Sequence, residues 1–305
     1  MGVAIFSPAK INLYLAVTGR RADGYHELVS VAAPLDFGDE VRAGSGEGGP
    51  SFAKATEGRA GSQFSLECDR SGLPVDESNL VLKAARAFAA ATGWDPPVAF
   101  RLTKRIPLGA GLGGGSSNAV AALRALNRLA GGPLAEARLA ELAAALGSDC
   151  ALFVAGAAVV MRGRGERIEA LPGAAGRRLA GQRVLLFMPS FAISTAWAYG
   201  RMAARGSDYV PAAAAEARLG AWLAGGVPAG ELLFNNMEAA AFEKFVALPV
   251  LLARLRRDHG LVAGMSGSGS ACFALLPAEA SAGPVTACIR EAWGPAAFVQ
   301  EARIV

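Results

Sequence analysis

Near the N-terminus, apolar Ile11, Leu13, Leu15 and Val17 alternate with Lys10, Asn12, Tyr14 and Ala16. A period of two marks a half-buried strand and puts Lys10 and Asn12 on one face. The pattern predicts strand over 3–17, broken at Ser7–Pro8, then a polar turn over 18–27 and strand again over 28–42. A short strand, Phe64–Cys68, precedes a helix from Leu80 to Thr92 with Ser78 or Asn79 at its cap. Strand returns at 97–104. Val120, Leu123, Leu126 and Leu129 then recur every three residues, which predicts a helix over 118–130 with one apolar face. A shorter helix over 134–146 stops at Gly147, and the apolar run Ala151–Val160, a polar turn and Arg167–Leu171 follow.

Gly173–Gly181 reads as a boundary, which divides the chain into domains 1–172 and 173–305. Beyond it the pattern gives strand 183–189, helix 194–204, helical segments at 211–224 and 229–258, strand 271–276, helix 283–293 and strand 297–305. That order predicts an α+β domain with helices on one face of an antiparallel sheet. Residues 43–63 are rich in Gly and Ser with no usable period, and read as an extended, mobile hairpin tip or insertion without catalytic content.

Composition narrows the class. The 305 residues are 52% hydrophobic and 18% charged, so the chain is globular and long enough for two ordinary domains. A net charge of +4 with no block of basic residues argues against a nucleic-acid partner. No apolar window is long enough for a membrane helix, so no membrane partner is expected. The four cysteines lack C-x-x-C spacing and sit in apolar surroundings, the mark of reduced thiols in a cytoplasmic protein. Only two histidines are present, which excludes His-rich zinc centres.

The densest chemistry lies in Ile106–Asn118, where Gly109, Gly111, Gly113, Gly114 and Gly115 fall within seven positions and lead to Ser116, Ser117 and Asn118. A glycine loop opening a helix presents unpaired N–H groups and the positive end of the dipole, an anion site suited to a nucleotide triphosphate. Any of those three polar residues is suited to cap the helix. A dinucleotide fold is excluded by context, because Glu136 falls in a helical stretch rather than at a strand end. A P-loop is excluded because no Lys precedes Ser116. Elsewhere each candidate carries two readings. Lys10 either acts with Asn12 or snorkels at a strand end; Tyr25 and His26 either hold a flat heterocycle or pack a turn. Asp149 either caps a turn or serves as a general base kept ionised by a cation. A second glycine cluster, Gly264–Ser270, precedes a strand.

Three stretches in order, Pro8–Leu13, Pro107–Ser117 and Gly264–Ser270, resemble the GHMP small-molecule kinases over nearly the whole chain. The segment Arg20–Glu27 resembles one branch, acting on a cytidine diphosphate-linked methylerythritol. The resemblance implies a two-domain fold, the first half like ribosomal protein S5 domain 2 and the second ferredoxin-like. It implies ATP and Mg²⁺ as cofactors and a small-molecule acceptor. It makes Asp149 the catalytic base and Lys10 its partner. Pro107, Leu108, Gly109, Ala110, Gly111, Leu112, Gly113, Gly114, Gly115, Ser116 and Ser117 would wrap the phosphates, with Ser116 or Ser117 near the metal. Asn79 and Lys104 match the adenine pocket. Asn12, Tyr25, His26, Thr195 and Tyr199 are assigned to the acceptor, and Gly267, Ser268 and Gly269 to a closing loop. Another GHMP kinase, acting on homoserine, mevalonate or a sugar, leaves Tyr25 and His26 without a task. An RNA-binding S5-like module would show basic clusters, which are absent.

Overall fold

The computed structural model describes residues 2–45, 63–225 and 227–305. Two long strands come first, β1 (Gly2–Arg20) and β2 (His26–Ser45), then β3 (Phe64–Cys68), α1 (Leu80–Thr92), β4 (Val98–Thr103) and α2 (Gly114–Leu129). Next are α3 (Glu136–Leu146), α4 (Cys150–Ala155), β5 (Val159–Gly163), β6 (Arg167–Ala170) and α5 (Gly173–Leu179). The remainder runs β7 (Arg183–Met188), α6 (Thr195–Arg205), α7 (Ala212–Ala224), α8 (Ala229–Leu232), β8 (Phe234–Asn235), α9 (Met237–Lys244) and α10 (Ala247–His259). It closes with β9 (Ala263–Met265), β10 (Cys272–Leu276), α11 (Ala282–Trp293) and β11 (Phe298–Arg303).

The chain forms two compact units that divide within β1 and β2. One comprises Met1–Ala9, Gly38–Ile106 and Gly113–Val154; the other comprises Lys10–Phe37, Pro107–Leu112 and Ala155–Val305. In the first, β3 lies parallel to β4, which pairs antiparallel with the second half of β2, Glu40 opposite Thr103. Helix α1 packs on α2, and Ala84, Ala85, Ala119 and Ala122 on these two helices are fully buried. Phe88, Phe100, Leu102 and Leu123 are buried in this unit, each worth about 1.5–3 kcal/mol of burial free energy. The α1 start is a capping interaction, with Asn79 Oδ1 accepting from Val81 N at 2.9 Å.

In the second unit the first half of β2 pairs antiparallel with β5, and β5 with β6. Strand β1 pairs parallel with the two-residue β8, Tyr14 opposite Phe234. A separate antiparallel sheet runs β11-β7-β10-β9, with Phe187 and Phe273 in its core.

Several expectations are corrected. Strand β1 is unbroken at Ser7–Pro8: Gly38 on β2 leaves room there, since a Cβ on it would come within 2.7 Å of Pro8 Cα. Residues 173–179, at the expected boundary, form α5. The expected single helix over 229–258 is three helices interrupted by β8, because Asn235 and Asn236 spend their amides on distant backbone groups. Of the stretch 43–63, residues 43–45 end β2 and Gln63 leads into β3; residues 46–62 lie outside the described residues. All four cysteines are free, three of them buried. Among the described residues no helix is long and apolar enough to cross a membrane.

Candidate active site

The second unit brings Pro107–Leu112 of the first glycine stretch and the whole of the second to Lys10 and Asn12. The Lys10 side chain donates from Nζ to Asn12 Oδ1 at 2.6 Å, and Asn12 Nδ2 donates to Ser30 Oγ at 2.9 Å. Ser30 Oγ passes the chain on to the Tyr14 carbonyl. Lys10 is only 4% exposed, so it does not snorkel to solvent. Its backbone N–H donates to Leu112 O at 3.0 Å, which joins the first glycine stretch to β1. The second stretch arrives from the other direction: Ser266 Oγ donates to Gly111 O, Asn12 N donates to Ser266 Oγ, and Ala271 N donates to Ala110 O. Gly111 has φ +76°, and a Cβ there would overlap the Ser266 carbonyl oxygen, so the approach of the two loops demands glycine. Gly267 lies closest to the amine, its missing Cβ 3.5 Å from Lys10 Nζ. Gly269 is buried in the same turn, and Ser268 Oγ pairs with Thr195 Oγ1 at 2.9 Å. Pro107, Leu108 and Gly109 complete this part of the loop.

The aromatic group assembles in the same unit. Residues 21–25 turn tightly, with Arg21 N donating to Tyr25 O and Asp23 Oδ1 accepting from Tyr25 N. Tyr25 is 51% exposed with the Arg164 guanidinium 4.9 Å from its ring centre, a cation–π contact. His26 is buried between Tyr199, at 4.6 Å between ring centres, and Tyr209, whose hydroxyl lies 3.1 Å from Nε2. Burial, with the Arg20 charge adding to it, lowers the His26 pKa, so the ring is neutral near pH 7. Tyr199 therefore lies beside His26. Neither Tyr209 nor Arg164 is singled out by sequence: Arg164 reads only as part of a polar turn between Gly163 and Gly165, and Tyr209 lies between two helical segments.

The first unit supplies the other half of the expected residues. Helix α2 begins at Gly114, four residues before the expected start, with Gly113 at its cap (φ +72°) and no side-chain cap. Ser116, Ser117 and Asn118 are thus inside the helix. The first-turn N–H groups are therefore open to an anion. Ser117, 1% exposed, accepts from Ser7 Oγ at 2.8 Å and faces the interior, whereas Ser116 is half-buried. Asp149 occupies the turn between α3 and α4, and this turn packs on the start of α2: Cys150 Sγ lies 3.7 Å from Ser116 O. Burial, with a lesser contribution from the Asp149 charge, pushes the Cys150 thiol up to about 11. Lys104 and Asn79, assigned to adenine, have committed side chains. Lys104 Nζ is 2% exposed and paired with Asp39; Asn79 caps α1 and donates to Pro74 O.

Asp39 was not anticipated, and it ties the two ends of the glycine-rich stretch. Its Oδ1 accepts from Arg105 N at 2.7 Å and Ile106 N at 2.8 Å; its Oδ2 accepts from Lys104 Nζ and from Asn118 Nδ2. Asn118 Nδ2 also donates to Ser7 Oγ. Residues 106 and 118 are thus fastened to one carboxylate.

Two glycine loops meeting on a buried lysine, within an α+β fold, match a class of small-molecule phosphotransferases. The GHMP kinases N terminal domain matches residues 79–157, and the GHMP kinases C terminal domain matches residues 221–294. A 4-diphosphocytidyl-2-C-methyl-D-erythritol kinase of Synechococcus sp. (strain CC9311) is 36% identical over 97% of this chain and 94% of its own. One from Synechococcus sp. (strain CC9902) is 38% identical over 90% of this chain and 87% of its own. The crystal structure of a 4-(cytidine 5'-diphospho)-2C-methyl-D-erythritol kinase superposes with a TM-score of 0.75 at 33% identity, covering 99% of both chains. The chain belongs to the GHMP kinases and, within them, to the 4-diphosphocytidyl-2-C-methyl-D-erythritol kinase family.

Proposed function

We infer that the protein uses ATP to phosphorylate the 2-hydroxyl of 4-diphosphocytidyl-2-C-methyl-D-erythritol, a step of the non-mevalonate isoprenoid route. The observation that carries this reading is the meeting of two glycine loops on Lys10 and Asn12, in the same unit as an aromatic group of matching chemistry for a cytosine ring. Tyr25 offers an exposed face and neutral His26 an edge with one donor and one acceptor. Asn12, Thr195 and Tyr199 complete the acceptor side.

Asp149 takes the proton of the acceptor hydroxyl, a contribution of ~10²–10⁴-fold for a positioned base. The oxygen bonds to the γ-phosphorus as the bond to the β–γ bridging oxygen breaks, and ADP departs. Lys10 is assigned as the electrostatic partner of the transfer, supplying positive charge to the transferring group. The uncapped first turn of α2 fits the triphosphate. Asn79 and Lys104 support the adenine side through the elements they fasten. Among the described residues no group of three or more metal-ligating side chains forms, so Mg²⁺ fits here with the nucleotide, Ser116 being the half-buried hydroxyl available to it. Bound there, the ion neutralises charge on the phosphate oxygens. We keep the division into domains 1–172 and 173–305 on the family matches lying on either side of it, although the compact units cross it, with residues 10–37, 107–112 and 155–172 in the second. We place the enzyme in the cytoplasm, where ATP and reduced thiols coexist.

A coupled ADP-release assay with Mg-ATP tests this, run separately with the cytidylated acceptor, homoserine, mevalonate and galactose. ADP release with the cytidylated acceptor alone is expected. Release with a control acceptor, or with none, would overturn the substrate assignment.

A further inference from the structure

We propose that Asn235 and Glu238 are positioning residues for phosphoryl transfer, acting from behind the second glycine loop to hold it against Lys10 and Asn12. The proposal rests on the kinase reading above. The loop meets Asn12 and Lys10 through Ser266 and Gly267, and its base rests on the corner at Asn235 and Glu238. Asn235 Nδ2 donates to Met265 O at 2.9 Å and to Gly267 O at 2.8 Å, and its Oδ1 accepts from Met237 N at 3.0 Å. The amide is therefore saturated and cannot rotate without losing three bonds. Glu238, in the first turn of α9, accepts from Met265 N at 2.8 Å through Oε1. Three backbone groups at the loop's base, Met265 N, Met265 O and Gly267 O, thus depend on two side chains.

Glu238 adds a dependence on pH. A cavity of about 170 Å³, lined by Glu238, Arg256, Asn235, Asn12 and Met265, lies beside it. That is room for several waters at about 30 Å³ each, so protons reach the carboxylate. Burial, offset in part by the Met265 N–H and the Arg256 charge, raises its pKa to about 7. Arg256 on α10 and Cys272 on β10 are the charged and titratable groups that act on it or feel it. From β1, β8 and β9 the cavity wall receives only amides, glycine and apolar side chains. An ionised carboxylate accepts the Met265 N–H about twice as strongly as a neutral one, so the loop is held more firmly above pH 7 than below it.

The experiment compares wild type with Glu238→Gln, Glu238→Ala and Asn235→Ala from pH 6 to 8. It reads kcat and KM for transfer and, independently of substrate, amide hydrogen exchange over residues 264–271. Gln keeps an acceptor but cannot ionise. Its kcat should match wild type at pH 6 and fall about 5-fold below it at pH 8, with KM little changed, while loop exchange speeds up by a similar factor only at pH 8. Glu238→Ala and Asn235→Ala should lose ~10-fold or more in kcat at every pH, and Gln should rescue the Ala loss at Glu238 at pH 6. A Gln variant whose exchange and pH profile both track wild type would overturn the pH-dependent hold. Unchanged exchange in Asn235→Ala would overturn the fastening itself. Absence of transfer in wild type, with the exchange differences intact, would sink the kinase reading and leave the fastening supported. If the Ala variants fail to fold, the isosteric Gln comparison still decides.

Discussion

Asp39→Asn is the substitution that tests the buried ion pair most sharply. The wild-type carboxylate is fully buried and accepts four hydrogen bonds, two from backbone, one from Asn118 and one from the Lys104 ammonium. An Asn keeps one oxygen, which can retain Arg105 N and Ile106 N. Its amide nitrogen then faces two donors, and the buried Lys104 charge loses its counter-ion. Removing one partner of a buried pair costs about 3–5 kcal/mol, a large share of the 5–15 kcal/mol that holds a typical domain. At about 2–4 °C per kcal/mol, the melting temperature should drop by roughly 6–20 °C. Because Asp39 fastens residues 106 and 118, nucleotide affinity should fall with it. Adding Lys104→Met removes the stranded charge, so the double variant should melt well above Asp39→Asn alone. Circular dichroism melts of wild type, both single variants and the double variant decide the matter. A single variant melting within 2 °C of wild type, or a double variant without recovery, would refute the reasoning.

Three further outcomes follow from the same structure. Gly111→Ala forces a side chain into φ +76° and into the Ser266 carbonyl, so it should lower kcat by ~10-fold or more, the rough rate equivalent of 1–3 kcal/mol of strain, while circular dichroism stays native. Glu238→Gln should change stability with pH: the folded state holds the Glu238 proton up to about pH 7 and the unfolded chain only to about 4.5. Wild-type stability therefore falls as pH rises between those values, by at most about 3 kcal/mol, and urea melts of the Gln variant should gain on wild type over that window and level off above it. Excising residues 46–62 should leave turnover intact in the ADP-release assay; a large loss from folded protein would assign that stretch a catalytic part.

Local chemistry was legible in the sequence and distant partnership was not. Helix α1 could be bounded from the sequence because its Asn79 cap and Gly93 end are both short-range features. Lys10 and Asn12 could be paired because residues two apart on a strand share a face. The start of α2 was missed because glycines read as loop, although Gly114 has a packing reason to be glycine: a Cβ there would press on Lys104 Nζ at 3.1 Å and Ile106 Cγ2 at 3.2 Å. Alanine-rich periodicity ran unbroken through 229–258, yet the amides of Asn235 and Asn236 bond to backbone at Met265, Gly267 and Val17 and end the helix. Asp39 stands 65 residues from Lys104 in sequence, and nothing near it hints at the pairing. Of the expected site residues, those within one unit are placed by contacts, while the chemistry joining Asp149 to Lys10 rests on the family resemblance.

Phosphorus NMR of the product from Mg-ATP and 4-diphosphocytidyl-2-C-methyl-D-erythritol, with wild type beside Asp149→Asn, tests the central claim most directly. The account predicts one new phosphomonoester resonance, on the 2-oxygen, formed one-for-one with ADP. It predicts the same product from Asp149→Asn at a rate lower by ~10²–10⁴-fold. A phosphate on another oxygen, or transfer by Asp149→Asn at the wild-type rate, would contradict it.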